Sequence, residues 1–185
     1  MTYNVSPLGL ERKYCAAPTA LKVEGGTVVS GYASVFGVRD RGGDTVCRGA
    51  CAGSLSRLAK AGRKVKMLWQ HDPARPIGIW DDVREDAKGL WVKGRILADV
   101  QAGAEALALL KAGAIEGLSI GYRTERAEKA AGGGRMLHEI DLWEVSLVTF
   151  PMLPEARVET EAKAQDQLAE ELVAALAAAR RDLLA

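Results

Sequence analysis

Six short β-rich segments, separated by glycine, proline and polar turn residues, constrain the fold of this 185-residue chain more than any other feature. β-Branched and aromatic residues within such segments, together with apolar–polar alternation, are typical of strands with one buried face. Only two amphipathic helical segments interrupt the series. This pattern predicts an α+β fold built around a mainly antiparallel, barrel-like sheet with two interposed helices. The predicted strands are residues 27–36, 65–69, 77–83, 90–97, 118–125 and 137–149.

Both predicted helices have local signals at their ends. The first helix covers residues 50–60 and is expected to stop at Gly62. The second helix covers residues 100–112, with Asp99 as the expected N-cap residue and Gly113 as the glycine that follows its C-terminus. These signals predict two short helices interposed between strands.

Changes in composition divide the chain into three parts. Residues 1–26 contain prolines and glycines without a clear period and are expected to form an irregular N-terminal arm. Residues 27–156 contain the predicted sheet and helices. Residues 157–185 are rich in alanine and charged residues and predict an amphipathic C-terminal helix with a narrow apolar seam, which suits docking on a partner or packing on the chain's own domain. The seam consists of Leu168, Leu172, Leu176, Ala179 and Leu183.

Charge and hydropathy exclude several classes of partner. Lys and Arg total 25 and Asp and Glu total 24, so the chain lacks the basic excess of a dedicated nucleic-acid-binding protein. No run of 18 apolar residues is present, and the N-terminus lacks a basic region followed by an apolar stretch. We therefore expect no membrane-spanning helix and no secretory signal. The odd number of cysteines, three, disfavours a disulfide framework and favours a reducing cytosol.

Histidine is scarce, which narrows the possible chemistry. The two histidines are His71 and His138, and a zinc site would need both of them together with two cysteines. Cys47 and Cys51 are spaced C-x3-C, and no second cysteine pair could complete such a site. The chain also lacks a Walker loop and a GxGxxG turn after a strand. We therefore expect no metal and no cofactor.

Ser119 lies between Gly117 and Gly121, in the pattern G-x-S-x-G. In α/β-hydrolases this pattern forms a turn from a strand into a helix, but no helix is predicted to follow Ser119, so the context differs. The flanking glycines leave the hydroxyl uncrowded and let a substrate backbone approach. Ser119 is therefore a candidate nucleophile, and an ordinary strand serine is the alternative interpretation.

A nucleophilic serine needs a base, and the base needs an orienting group. His71 is expected at the end of the second predicted strand, where Pro73 breaks the ladder and side chains lie at the sheet rim. Glu144 has apolar neighbours on both sides in the last predicted strand, where a carboxylate should have a partner. His138 shares the predicted face of Glu144. A surface histidine and a solvent-facing glutamate are the alternatives for His71 and Glu144.

Five segments, taken together and in order, resemble the motifs of the tailed-bacteriophage prohead (head-maturation) proteases. The resemblance covers residues 27–156 and rests on the joint order and spacing of the segments, because each one alone is a loose match. The segments are GYASVFG (31–37), GA with SL (49–55), WQHD with PIG (69–78), KAGAIEGLSIGY (111–122) and LWEVSLVTFP (142–151).

The resemblance implies a serine endopeptidase whose fold is related to that of the herpesvirus assembly proteases. Carried over by motif, Ser119 is the nucleophile and His71 is the general base. The motif position of Glu144 makes it the expected third member of the triad. The herpesvirus proteases use a second histidine in that role, which leaves His138 as the alternative.

The resemblance also implies a role in capsid maturation. The expected substrate and partner is the major capsid protein or its scaffolding region, cut inside the immature capsid (the prohead) in the host bacterial cytoplasm. A homodimer is an expected assembly, and the helical tail would suit docking on the scaffolding region. Three other functions stay open: a non-enzymatic capsid-assembly scaffold factor of the same fold, a cysteine hydrolase that uses Cys47 or Cys51 with His71, and a generic binding module without chemistry.

Overall fold

A computed structural model describes residues 11–14, 22–24, 26–40, 42–115 and 117–149. Within these ranges the chain forms nine strands and two helices. In chain order they are β1 (Glu11–Tyr14), β2 (Lys22–Glu24), β3 (Val28–Val35), β4 (Asp44–Val46), α1 (Ala52–Lys60), β5 (Lys66–Trp69), β6 (Asp72–Glu85), β7 (Gly89–Ile96), α2 (Gln101–Lys111), β8 (Gly117–Lys129) and β9 (Arg135–Val148).

The described strands all belong to one sheet. They follow the order β1-β8-β9-β5-β6-β7-β3-β2, and β4 pairs with the first residues of β9. Most neighbouring strands are antiparallel, whereas β9 is parallel to both β5 and β4. The predicted α+β architecture with a mainly antiparallel sheet and two interposed helices is therefore confirmed.

The two edge strands of this sheet are consecutive in the chain, which forces the sheet to curl. β1 and β2 lie at opposite ends of the row of strands, yet only residues 15–21 connect them. A flat row of eight strands would separate its edges by about 34 Å, whereas this connection spans at most about 28 Å. The sheet therefore bends into an open half-barrel.

Helix α1 packs on β9 through a buried serine. The Ser54 hydroxyl accepts the backbone N–H of Leu142 (2.8 Å) and donates to Asp141 (3.2 Å). Burial opposes the ionisation of Asp141, but hydrogen bonds from Trp143 and Arg57, together with the one from the serine, outweigh it and lower the pKa of the carboxyl group. The helix thereby holds the middle of β9 in place.

Replacing Ser54 with alanine is expected to destabilise the protein. The change leaves the buried Leu142 N–H without its acceptor, which lowers the free energy of unfolding by about 1–3 kcal/mol. Urea denaturation followed by tryptophan fluorescence measures this loss. Ser56→Ala, at an exposed position of the same helix, is the matched control and should change stability by less than about 0.5 kcal/mol. Equal stability of the two variants would contradict the packing role of Ser54.

Both predicted helices are confirmed, with small shifts at their ends. Gly62 and Gly113 have φ of +62° and +70°, the left-handed conformation that commonly ends a helix. The prediction of Asp99 as an N-cap residue is wrong. Val100 takes that position without a side-chain cap hydrogen bond, because the helix begins one residue later than a cap at Asp99 requires.

The strands differ from the prediction in three places. The arm predicted to be irregular contains β1 and β2, and β4 has no counterpart among the predicted strands. β6 begins at Asp72, directly after His71, and includes Pro73 and Pro76. Proline fits there because register shifts on both sides of Leu68 interrupt the ladder between β5 and β6. The predicted break of the ladder at Pro73 is thus an irregular pairing within a continuous strand.

The predicted domain boundaries lie at residues 26–27 and 156–157. The predicted helical tail at residues 157–185 lies outside the described residues, and so does most of the 1–26 segment. The limits of the 27–156 domain therefore stay a prediction. Neither of the described helices has the length and apolar character needed to span a bilayer.

Candidate active site

β9 brings the candidate residues together because it lies between the strands that position the other two. Ser119 lies near the start of β8, opposite Ser146 of β9. His71 lies in the two-residue turn between β5 and β6. Leu68 of β5 also pairs with Ser146. Glu144 lies two residues earlier on β9. Neighbouring strands are about 4.8 Å apart, so the three candidate residues lie within one small region.

A hydrogen bond joins His71 to Glu144. Nδ1 of His71 lies 2.5 Å from Oε1 of Glu144, and the two side chains are only 3% and 6% exposed. When the carboxylate is ionised it can only accept, so the imidazole then donates from Nδ1. In the neutral ring Nε2 is then the nitrogen that accepts a proton from a serine hydroxyl. This is the orientation that general-base catalysis requires.

Ser146, which is not among the predicted site residues, completes this network. Its hydroxyl donates to Oε2 of Glu144 (2.5 Å) and accepts the backbone N–H of His71 (3.1 Å). Both carboxylate oxygens are therefore held, one by the imidazole and one by Ser146. The sequence signals for this role are its place in the closing motif and its spacing of two from Glu144 along a strand.

The turn that carries His71 has an unusual backbone conformation. Gln70 and His71 have φ of +52° and +62°, in the left-handed region that few non-glycine residues adopt. The backbone N–H of Gln70 donates to Leu147 O (3.0 Å), and its side-chain amide donates to the Thr149 hydroxyl (2.6 Å). These bonds tie the turn to the end of β9. Such conformations persist where surrounding contacts hold them, and they cluster at functional sites.

Gly121 makes room for the Glu144 carboxylate. The two residues are opposite each other across β8 and β9, and a Cβ atom at Gly121 would lie 2.0 Å from Oε1 of Glu144. No side chain can occupy this position while the carboxylate keeps its place. The second glycine of the G-x-S-x-G pattern therefore accommodates the carboxylate of the site.

A bulge in β9 decides where Glu144 points. Residues 121 and 122 of β8 pair with Glu144 and Leu142, which leaves Trp143 as an extra residue in β9. Leu142 belongs to the core before the bulge, and Val145 belongs to it afterwards. The prediction that His138 shares the face of Glu144 assumes an uninterrupted alternation of faces along this strand, and that assumption is wrong. The bulge places Glu144 on the side opposite Val145, where it meets His71.

Ser119 is fully buried in this structure. Its relative exposure is 0%, and His71 and Glu144 are each 5% exposed. Exclusion of water strengthens hydrogen bonds between charged groups in such a site. The burial also means that no large molecule can reach Ser119 unless part of the chain moves.

His138 lies too far from His71 to orient it. It precedes Glu144 by six residues on β9, a separation of about 20 Å along a strand. Its Nε2 lies 3.5 Å from a carboxylate oxygen of Glu128 on β8. The geometry therefore favours Glu144 over the second histidine as the third member of the site.

The candidate cysteines lie elsewhere. Cys51 is buried, and burial raises the pKa of its thiol, with a further contribution from Glu85. A thiol with a raised pKa is a poor nucleophile. The backbone N–H of Cys47 donates to Leu137 O (2.9 Å), at the end of β9 that is distant from the His71 turn. The geometry therefore disfavours the cysteine-hydrolase alternative.

Comparisons of sequence connect the chain to phage head proteins. The family model described as caudovirus prohead serine protease matches residues 17–171. The prohead protease of Enterobacteria phage HK97 is 34% identical over 134 residues, which cover 71% of this chain and 58% of that protein. A capsid polyprotein of Pseudomonas phage PAJU2 is 30% identical over 101 residues, which cover 51% of this chain and 15% of that protein. This chain thus spans less than two thirds of the length of either relative.

A solved structure has a similar fold. The bacteriophage T4 capsid assembly protease matches with a TM-score of 0.61 at 14% identity, over 75% of this chain and 96% of that one. At this identity the likeness concerns the fold alone. The family match is more informative, because it extends over most of the sequence and includes Ser119, His71 and Glu144. On that evidence, the chain belongs to the caudovirus prohead serine protease family.

Proposed function

We propose that the chain is a serine endopeptidase that cuts a capsid or scaffold protein during maturation of a phage-like head. The observation that carries the proposal is the buried hydrogen bond between His71 and Glu144. Glu144 lies on β9, next to the strand β8 that contains Ser119. A serine, a histidine and an orienting carboxylate form the catalytic unit of many serine hydrolases. Membership of the prohead serine protease family supports the same chemistry.

Ser119 is the nucleophile in this mechanism. Its Oγ attacks the carbonyl carbon of the scissile bond while Nε2 of His71 accepts the hydroxyl proton. Glu144 stabilises the imidazolium that forms. The imidazolium then donates its proton to the leaving amine, which leaves an acyl-enzyme. Water, activated by His71, hydrolyses the acyl-enzyme and regenerates the Ser119 hydroxyl.

The names of the relatives support the choice of substrate and location. They are a prohead protease, a capsid polyprotein and a capsid assembly protease. By extension, the partner of this chain is the major capsid protein or its scaffolding region, and the site of action is the prohead in the host bacterial cytoplasm. A homodimer, a likeness to the herpesvirus assembly proteases and a docking helix at residues 157–185 belong to the same proposal. Nucleic acid and membrane are not expected partners.

A fluorophosphonate probe tests the assignment of the nucleophile. The reagent reacts with a serine that a neighbouring base activates, so the wild-type protein should gain one adduct, on the peptide that contains Ser119. Ser119→Ala should gain none. Ser34→Ala, which changes another fully buried serine, should react like the wild type. An adduct on a different serine, or no adduct on a protein that cleaves its partner, would overturn the assignment.

Ser146 acts as a positioning residue in this mechanism. Ser146→Ala removes the bonds to the Glu144 carboxylate and to the His71 backbone. We expect kcat to fall about 100-fold, because small displacements of catalytic groups cost about this factor, while KM changes little. Ser146→Thr keeps the hydroxyl and should recover part of the loss. Steady-state cleavage of the cognate major capsid protein measures these changes, and an unchanged kcat in Ser146→Ala would refute the role.

A further inference from the structure

Strand β1 covers the edge of β8 beside the candidate nucleophile. The two strands are antiparallel, with Tyr14 directly opposite Ser119 and Arg12 opposite Gly121. Among the described strands, β1 is also the last one on this side of the sheet. β8 is therefore enclosed between β9, which carries Glu144, and a strand from the chain's own N-terminal segment.

The edge that β1 covers has the geometry to bind an extended peptide. Directly opposed residues of antiparallel strands have Cα atoms about 4.5–5.5 Å apart. A peptide in the place of β1 would therefore have its backbone close to Ser119. Only a small shift would bring a peptide carbonyl carbon to the roughly 3 Å from Oγ at which attack occurs. Along β1, from Glu11 to Tyr14, the paired residues of β8 run from Tyr122 back to Ser119. A peptide bound in the same direction would reach Ser119 last, so its residues that pair with β8 would precede the bond attacked. Main-chain pairing with a strand edge is a common way to bind extended peptides.

The burial of the site fits an edge that is already occupied. Ser119 has no exposed surface, so access to it requires the movement of a part of the chain. β1 is a suitable part, because it contains only four residues, has the sequence ERKY and pairs with one neighbour among the strands that the structure describes. Short, charged edge strands are among the least stable elements of a sheet.

We propose that β1 occupies the substrate-binding edge of β8, and that an extended peptide substrate binds there only after β1 has left. This inference rests on the proposed protease function. An internal competitor raises the apparent KM, because only molecules with β1 released can bind substrate. It leaves kcat unchanged, because the enzyme–substrate complex is the same once formed.

Two proline variants of the full chain test the proposal. Lys13→Pro weakens β1 opposite Ile120, because proline cannot donate to a ladder. Lys22→Pro makes the same change in β2, the edge strand at the other end of the sheet, and is the matched control. With the cognate major capsid protein as substrate, Lys13→Pro should lower KM about tenfold at unchanged kcat. Lys22→Pro should leave KM unchanged.

Hydrogen–deuterium exchange provides a readout that does not depend on activity. Those amides of residues 119–122 that point toward β1 should exchange faster in Lys13→Pro than in the wild type or in Lys22→Pro. A synthetic peptide with the sequence of residues 9–16, added in trans, should slow this exchange again in Lys13→Pro. Unchanged exchange at 119–122 would show that β1 does not protect β8, and faster exchange without a lower KM would show that β1 does not compete with substrate. Either result overturns the proposal.

Failure of the protease function gives a different pattern. If no variant cleaves the capsid protein or reacts with a fluorophosphonate at Ser119, the proposed function fails, whatever the exchange data show. The peptide experiment then still decides whether the edge of β8 binds an extended peptide. Slower exchange at residues 119–122 with the peptide supports such binding, and no effect of the peptide excludes it.

Discussion

Replacing Ser119 with alanine is expected to reduce kcat for cleavage of the capsid protein by about a millionfold. Without Oγ no acyl-enzyme can form, so His71 and Glu144 have no group to activate. The substitution removes one oxygen atom from a small, fully buried side chain, and we expect the protein to remain folded. Time courses of capsid-protein cleavage give the rate, and thermal unfolding of the same samples confirms the fold.

Ser34→Ala is the matched control for this variant. Ser34 is also fully buried, and within the described part of the chain its hydroxyl has no hydrogen-bond partner. Its replacement should leave the cleavage rate at the wild-type value. If Ser119→Ala retains more than about 1% of the wild-type rate, a group other than Ser119 is the nucleophile.

Gly121→Ala is expected to lower kcat/KM by about 10⁴-fold, although it leaves every candidate catalytic residue in the sequence. The new Cβ would lie 2.0 Å from Oε1 of Glu144, much closer than a nonbonded contact allows, so the carboxylate must leave its position. Its 2.5 Å hydrogen bond to Nδ1 of His71 is then lost. In other serine proteases the loss of the orienting carboxylate costs about this factor. Steady-state kinetics on the capsid protein measures the effect.

Gly53→Ala provides the control for Gly121→Ala. A Cβ atom at Gly53, in α1, would lie 3.4 Å from Glu139 and 3.5 Å from Arg57, which are tolerable contacts. The variant should keep its activity and gain about 0.5–1 kcal/mol of stability, because alanine favours a helix over glycine. If Gly121→Ala cleaves as fast as Gly53→Ala, the Glu144 carboxylate does not orient the base.

The helices and the long strands could be predicted because their signals are local. α1 and α2 carry a helical period and end near Gly62 and Gly113, and β7, β8 and β9 contain long β-rich runs. The strands β1, β2 and β4 have only three or four residues, too few to show a period. Their formation depends on partners far away in the chain, as the pairing of Tyr14 with Ser119 shows. Local patterns contain no information on such pairing.

The candidate site also has a part that local patterns predict and a part that depends on strand pairing. Ser119, His71 and Glu144 each lie in a motif segment, so they could be identified without knowledge of the fold. The positions of Ser146 and Gly121 beside the carboxylate depend on the register between β8 and β9, and a bulge sets that register. The sequence pattern therefore predicts the candidate reacting groups, whereas the contacts that hold them are visible only in the structure.

Co-expression with the cognate major capsid protein tests the central claim most directly. The wild-type chain and Ser119→Ala are each produced together with that protein, and the intact masses of both partners are measured. The proposed function predicts a capsid protein shortened by the wild type and full-length with Ser119→Ala, and the mass difference defines the cleavage site. A capsid protein that stays intact with the wild type would contradict the protease function and favour a scaffold factor of the same fold. Shortening by Ser119→Ala would contradict the nucleophile.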